Sequence, residues 1–144
     1  MIEWPVAPNA SAMNVQILDN TAAPANILDA GLATTVRITW TVPPPLNTIL
    51  GGSFRLRAYA ESIGPGQELQ LGPTGTVPVT VGQVSYTADI PVPPSTLLGE
   101  GEPFGGVPVS GVYKIVAVLQ HLNGGVASEA SGFAEATFRM FRTP

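Results

Sequence analysis

From Thr34 to Val42 apolar and polar residues take strict turns: Val36, Ile38, Trp40 and Val42 alternate with Arg37, Thr39 and Thr41. A period of two sends successive side chains to opposite faces of an extended chain, which is the signature of a half-buried strand. Pro43-Pro44-Pro45 ends the run, because proline has no N–H to give to a ladder. The same unit recurs. After Gly51-Gly52, Phe54, Leu56, Ala58 and Ala60 take one face and Arg55, Arg57, Tyr59 and Glu61 the other. Val84, Tyr86, Ala88, Ile90 and Val92 alternate with Ser85, Thr87 and Asp89 before Pro93-Pro94. Val112–Leu122 is the longest apolar strand, Asn123-Gly124-Gly125 is a hairpin signal, and Phe133–Phe141 is the last strand. Shorter strands are expected at Asn14–Leu18, Asn26–Leu28, Glu68–Leu71 and Thr76–Val81. Gly72-Pro73 separates the last two, and Pro78 marks an edge. Residues 95–110 read as a long loop, and no amphipathic helix of useful length is visible.

Seven or eight short strands with frequent turns predict an all-β antiparallel sandwich. The 144 residues fit one domain. Residues 1–12, rich in Pro, Ala and Asn, read as an N-terminal arm, and 13–144 as the sandwich.

Three segments carry a family resemblance. Thr35-Val36-Arg37-Ile38-Thr39-Trp40-Thr41-Val42-Pro43-Pro44 resembles the second strand of a fibronectin-type-III or bacterial immunoglobulin-like domain, where a Trp lies in the core and prolines follow. Gly111-Val112-Tyr113-Lys114-Ile115-Val116-Ala117-Val118 resembles the sixth strand, with its inward Tyr. Asn123-Gly124-Gly125-Val126-Ala127-Ser128-Glu129 resembles the final hairpin. Together they span roughly residues 34–141. The resemblance implies an immunoglobulin-like, fibronectin-type-III-like antiparallel β-sandwich of seven or eight strands and a general binding or structural role. It implies no particular partner, since sandwiches serve many unrelated functions.

The chemistry available is narrow. The chain has no cysteine, so disulfides, zinc–thiolate sites and cysteine nucleophiles are excluded. Its one histidine, His121, falls beside the Asn-Gly turn with no Gly-x-Ser-x-Gly elbow, and reads as a surface or hairpin-end residue. Glu100 and Glu102 are the nearest thing to a calcium pair, but no Asp-x-Asp-x-Asp run exists. The expectation is a non-enzymatic protein with no cofactor and no metal. Charge adds to this: Asp, Glu, Lys and Arg make up 11% of residues, against about 25% in a typical soluble domain. A net charge of −4 speaks against a nucleic-acid partner. The sparse charge instead suggests surface spent on protein neighbours. No stretch reaches the roughly 18 apolar residues of a membrane span. The first residues also lack a signal peptide's basic start and apolar run. The expected location is the cytoplasm or an assembled particle, unless a signal has been removed.

Alternation then assigns faces. Trp40, Phe54, Leu56, Tyr86, Tyr113, Ile115, Leu119, Phe138 and Met140 are expected inward. Outward lie Arg55, Arg57, Tyr59, Lys114, Val116, Val118, Glu135 and Arg139, on strands that neighbour one another in a sandwich. This face holds four of the six basic residues, and Arg and Tyr are favoured at protein interfaces. It is the candidate partner-binding face. Val116 and Val118 are alternatively covered by the arm or a loop of the same chain. Trp4 is the candidate arm anchor, either into a neighbouring subunit or folded back on its own domain; Phe104 is the candidate loop contact. The leading function is a structural or assembly domain acting through protein partners or self-association. The alternatives are a carbohydrate-binding or adhesin module, with Tyr59, Phe104 and Trp4 as its aromatics, and an accessory non-catalytic domain of an enzyme.

Overall fold

A computed structural model describes residues 1–4 and 10–144. In chain order its elements are β1 (Ile2–Glu3), β2 (Ala10–Ser11), β3 (Met13–Leu18), β4 (Ile27–Asp29), β5 (Thr34–Thr41), the single helical turn α1 (Leu46–Ile49), β6 (Ser53–Ser62), β7 (Glu68–Pro78), β8 (Ser85–Val92), β9 (Pro103–Phe104), β10 (Val107–Pro108), β11 (Val112–Asn123) and β12 (Val126–Phe141). Three strands form one antiparallel sheet in the order β3-β5-β8. The larger sheet runs β2-β1-β12-β11-β6-β7, with β4 pairing in parallel with the end of β12. The two sheets pack as an immunoglobulin-like sandwich. No helix among the described residues is long and apolar enough to cross a membrane.

The period-two runs become these strands with their apolar parity facing inward. All nine residues expected in the core are buried, Trp40 at 1% exposure and Phe54, Leu56, Tyr113, Ile115 and Leu119 at 0%. Each such large side chain contributes about 1.5–3 kcal/mol by burial before entropy is charged. Trp40 stacks on Tyr86 with ring centres 5.5 Å apart, and Phe54 meets both edge-on at 5.4 and 5.3 Å. This cluster joins the two sheets, since β5 and β8 belong to one and β6 to the other. Tyr113 stacks on Phe138, and its hydroxyl donates to the Leu98 carbonyl at 2.8 Å in the connection leading into β11. The bond ties the start of β11 to the connection that follows β8. The β11–β12 hairpin turns on Gly124 and Gly125 alone, both at positive φ (61° and 81°), as a type I′ turn requires.

Four expectations need correction. The segments Glu68–Leu71 and Thr76–Val81 are not separate strands: β7 runs through Gly72-Pro73, and the irregular register between Leu56 and Ala58 on β6 takes up the extra chain. An edge strand tolerates this, because one side of its backbone needs no ladder partner. The last strand begins at Val126 rather than Phe133. The loop 95–110 carries a small hairpin of β9 and β10. Finally, the described part of residues 1–12 is no free arm. Ile2 and Glu3 pair with Gly132 and Ser131 of β12 on one side and with Ser11 and Ala10 of β2 on the other, and Ile2 is fully buried. Residues 5–9 of the expected arm lie outside the described residues.

Candidate functional site

The strand order places β6, β11 and β12 side by side, so the eight outward residues singled out in the sequence share one face. Cross-strand register defines its rows. Glu135 on β12, Val116 on β11 and Tyr59 on β6 lie abreast, and so do Phe133, Val118 and Arg57. Ser131, Gln120 and Arg55 form the row on one side, with Glu3 of β1 beyond Ser131. Thr137, Lys114 and Glu61 form the row on the other. Arg139 stands further along β12, opposite Val112. Val116 lies directly opposite Tyr59, while Arg55 sits four residues away along β6, opposite Gln120.

Val116 and Val118 form an apolar ridge down the middle of this face, half-buried by their strand neighbours. Phe133 extends the ridge onto β12 and is 59% exposed. Beside it an open groove of about 550 Å³ is lined by Glu3, Val118, Gln120, Ser131 and Phe133. Sequence reading left out Phe133 and Glu3. Phe133 carried a usable signal: it shares the parity of Glu135 and Arg139 and the opposite parity to Phe138 and Met140.

The charges divide in two ways. Some are satisfied within the chain. Lys114 Nζ lies 3.4 Å from Glu61, Arg139 pairs with Glu100, and Arg55 donates to the Gln120 side-chain oxygen. Arg57, Glu135 and Glu3 have no ion-pair partner among the described residues. The unpaired acids lie on the β1–β12 flank of the ridge and the unpaired Arg57 on the β6 flank. Arg55, beside Arg57 on the same flank, keeps a buried Nε with no hydrogen-bond partner among the described residues.

The opposite sheet presents a different surface. Arg37 and Asp89 form a two-pronged pair at 2.9 Å across β5 and β8, and hydrogen bonding from Arg37 holds the Asp89 carboxyl below the usual aspartate range.

The remaining candidates fall elsewhere. Trp4, expected as an anchor into a neighbouring subunit or back onto its own domain, takes the second course and is 5% exposed in the chain's own core. Its Nε1 donates to Ser11 Oγ at 2.8 Å, and Ser11 in turn donates to the Thr41 carbonyl. Burial of the indole with its N–H satisfied is the physical reason the segment folds back. Phe104 sits on the β9–β10 hairpin opposite Val107, both about half exposed. Trp4, Tyr59 and Phe104 therefore belong to the core, a sheet face and a separate hairpin.

His121 is at the hairpin end but not on the surface. It is 5% exposed, with Nε2 2.6 Å from the Gly51 carbonyl and Nδ1 2.8 Å from Ser128 Oγ. The carbonyl can only accept, so Nε2 carries a proton, and in the neutral ring Nδ1 then accepts from Ser128. Glu102 accepts from Arg142 and from the Gly99 N–H, and Glu100 from Arg139, so arginines occupy both carboxylates of the acidic loop.

No protein-family model and no curated protein matches the chain. Among solved structures it resembles a β-glucosidase from Listeria innocua in complex with glucose, with a TM-score of 0.50 and 13% identity. The alignment covers 94% of this chain, which spans only 17% of the length of that protein. It also aligns with AggA, the major subunit of aggregative adherence fimbriae type I from Escherichia coli, with a TM-score of 0.48 and 13% identity, over 94% of this chain and 97% of that one. At 13% identity the first likeness is one of fold alone.

Proposed function

We propose that this chain is a non-enzymatic structural or interaction domain, fibronectin-type-III-like in kind, that binds protein through the outer face of its larger sheet. The single observation that carries the reading is the ridge of Val116, Val118 and exposed Phe133, bordered by Tyr59, Arg55 and Arg57 on one flank. Aromatic and arginine side chains around an apolar centre are the composition of an interface core rather than of an ordinary solvated face. The division into β3-β5-β8 and β7-β6-β11-β12 supports the fibronectin-type-III-like reading. The non-enzymatic reading is supported by the state of His121, whose two ring nitrogens are spent on Gly51 and Ser128 in a buried position.

The test replaces Val116 and Val118 together by Ser. Both side chains point away from the core, so the melting temperature should stay near that of the parent. Light scattering after size exclusion, over a dilution series, should give a mass above 14.9 kDa for the parent and 14.9 kDa for the variant. A parent assembly whose mass the double substitution leaves unchanged would remove this face from the account.

A further inference from the structure

We infer that the occupant of this face is a second copy of the same chain, packed sheet against sheet about a two-fold axis lying along β11. The inference rests on the reading of the face as a protein interface and adds the partner and its geometry.

The face is complementary to itself. A two-fold contact brings one patch against itself, so each feature on one side of the axis must suit its counterpart on the other. Here the axis strand carries only Val116 and Val118 in the central rows, and apolar side chains suit their own copies. One strand to one side lie Phe133 and Glu135 of β12, and one strand to the other lie Arg57 and Tyr59 of β6. Strands are spaced about 4.8 Å, so the acidic and basic flanks are separated by roughly 10 Å, with the ridge between them. Rotation about β11 lays the β12 flank of one copy over the β6 flank of the other. Arg57 then meets the Phe133 ring, a cation–π pairing, with Glu135 one row away along the strand, while Tyr59 faces the Glu135 carboxylate. Arg57 of one copy and Glu135 of the other, both without an ion-pair partner among the described residues of the single chain, then lie one row apart across the contact, and the two-fold repeats that relation twice.

Area is sufficient. Five adjacent strands over about 20 Å of their length give roughly 500 Å² per copy and about 1,000 Å² for the pair, the lower limit for a specific interface. A contact of that size predicts a dimer that dissociates on dilution rather than an obligate one.

The experiment uses Arg57→Glu, Glu135→Arg, their combination in one chain, and an equimolar mixture of the two single variants. The readout is mass by light scattering from micromolar to millimolar protein. The parent should rise from 14.9 kDa toward twice that value. Each single reversal sets like charges against each other at both symmetry-related contacts and should hold the protein monomeric. The combined variant should recover the dimer. So should the mixture, because the carboxylate introduced at position 57 of one variant then lies one row from the guanidinium introduced at position 135 of the other, and the native Arg57 and Glu135 keep the same relation at the second contact. Recovery in the mixture is a result that a merely destabilised fold cannot produce. A parent monomeric at every concentration, or one that forms open polymers, would overturn the inference. So would a dimer indifferent to the reversals. A parent dimer that Val116→Ser with Val118→Ser abolishes but the paired reversals do not rescue would overturn the two-fold geometry while leaving the face as an interface.

Discussion

Gly132 sits where β1 crosses β12, and substituting it by Ala tests whether the N-terminal segment is part of the fold. A Cβ there would lie 2.7 Å from the Met1 carbonyl oxygen and 2.8 Å from Ile2 Cα. Both are backbone atoms of a paired strand, so neither can swing aside as a side-chain tip would. β1 must shift off β12, and Ile2, fully buried, must loosen with it. Overpacking of this kind costs about 1–3 kcal/mol. The loss has a ceiling, because the segment can lift away: it cannot exceed the burial of Ile2 and Trp4, about 1.5–3 kcal/mol each, less the entropy of ordering those residues. We expect a destabilisation of about 2 kcal/mol. With an unfolding entropy of about 2.1 cal/mol/K per residue over 144 residues, or roughly 0.3 kcal/mol per degree, this lowers the melting temperature by about 7 °C. Calorimetry reads the shift, and a red-shifted tryptophan emission reports exposure of Trp4. Gly75→Ala is the control, since nothing lies within 4 Å of a Cβ there, and its stability should stay within about 0.5 kcal/mol of the parent. Equal melting temperatures and unchanged emission for Gly132→Ala would refute the docking of β1.

Three further outcomes follow from the same geometry. Tyr113→Phe removes the donor to the Leu98 carbonyl and should cost about 1–2 kcal/mol in urea unfolding, with no change in the apparent mass of the protein. His121→Phe keeps an aromatic ring but strands the Gly51 carbonyl, and should cost about 1–3 kcal/mol in the same assay. Asp89 has a folded-state pKa below its unfolded one, so its contribution is present above the ordinary aspartate range and lost as pH falls through the depressed value. Asp89→Asn should therefore flatten the acid limb of the stability–pH curve and weaken its salt dependence, and an unaltered acid limb would contradict the assignment to Arg37.

The alternation of Val36, Ile38, Trp40 and Val42, and of the runs at Phe54 and Val112, made the sandwich and its core legible, because one face of each strand is buried and the other is not. The neighbourhood of β6, β11 and β12 followed from the resemblance and is the order the chain adopts. What stayed hidden had local causes. Gly72-Pro73 has the composition of a turn, yet on an edge strand it interrupts nothing that needs a partner. Residues 126–132 lack apolar–polar alternation, and at Gly132 β1 passes so close that no Cβ fits. Ile2 and Trp4 are two residues apart, too short a run to register as a strand, though both are buried. A polar residue beside a turn reads as exposed, and only the tertiary approach of Gly51 and Ser128 explains the burial of His121. Phe133 was passed over on the binding face although its parity with Glu135 and Arg139 points it outward.

Self-association through the β6–β11–β12 face can be read residue by residue from the concentration dependence of backbone amide chemical shifts in the assigned protein. Raising the concentration should move the amides around Arg57, Tyr59, Val116, Val118, Phe133 and Glu135, and leave those around Arg37, Thr39, Thr87 and Asp89 on the opposite sheet in place. Shifts confined to the Arg37–Asp89 face, or none at any concentration, would contradict it.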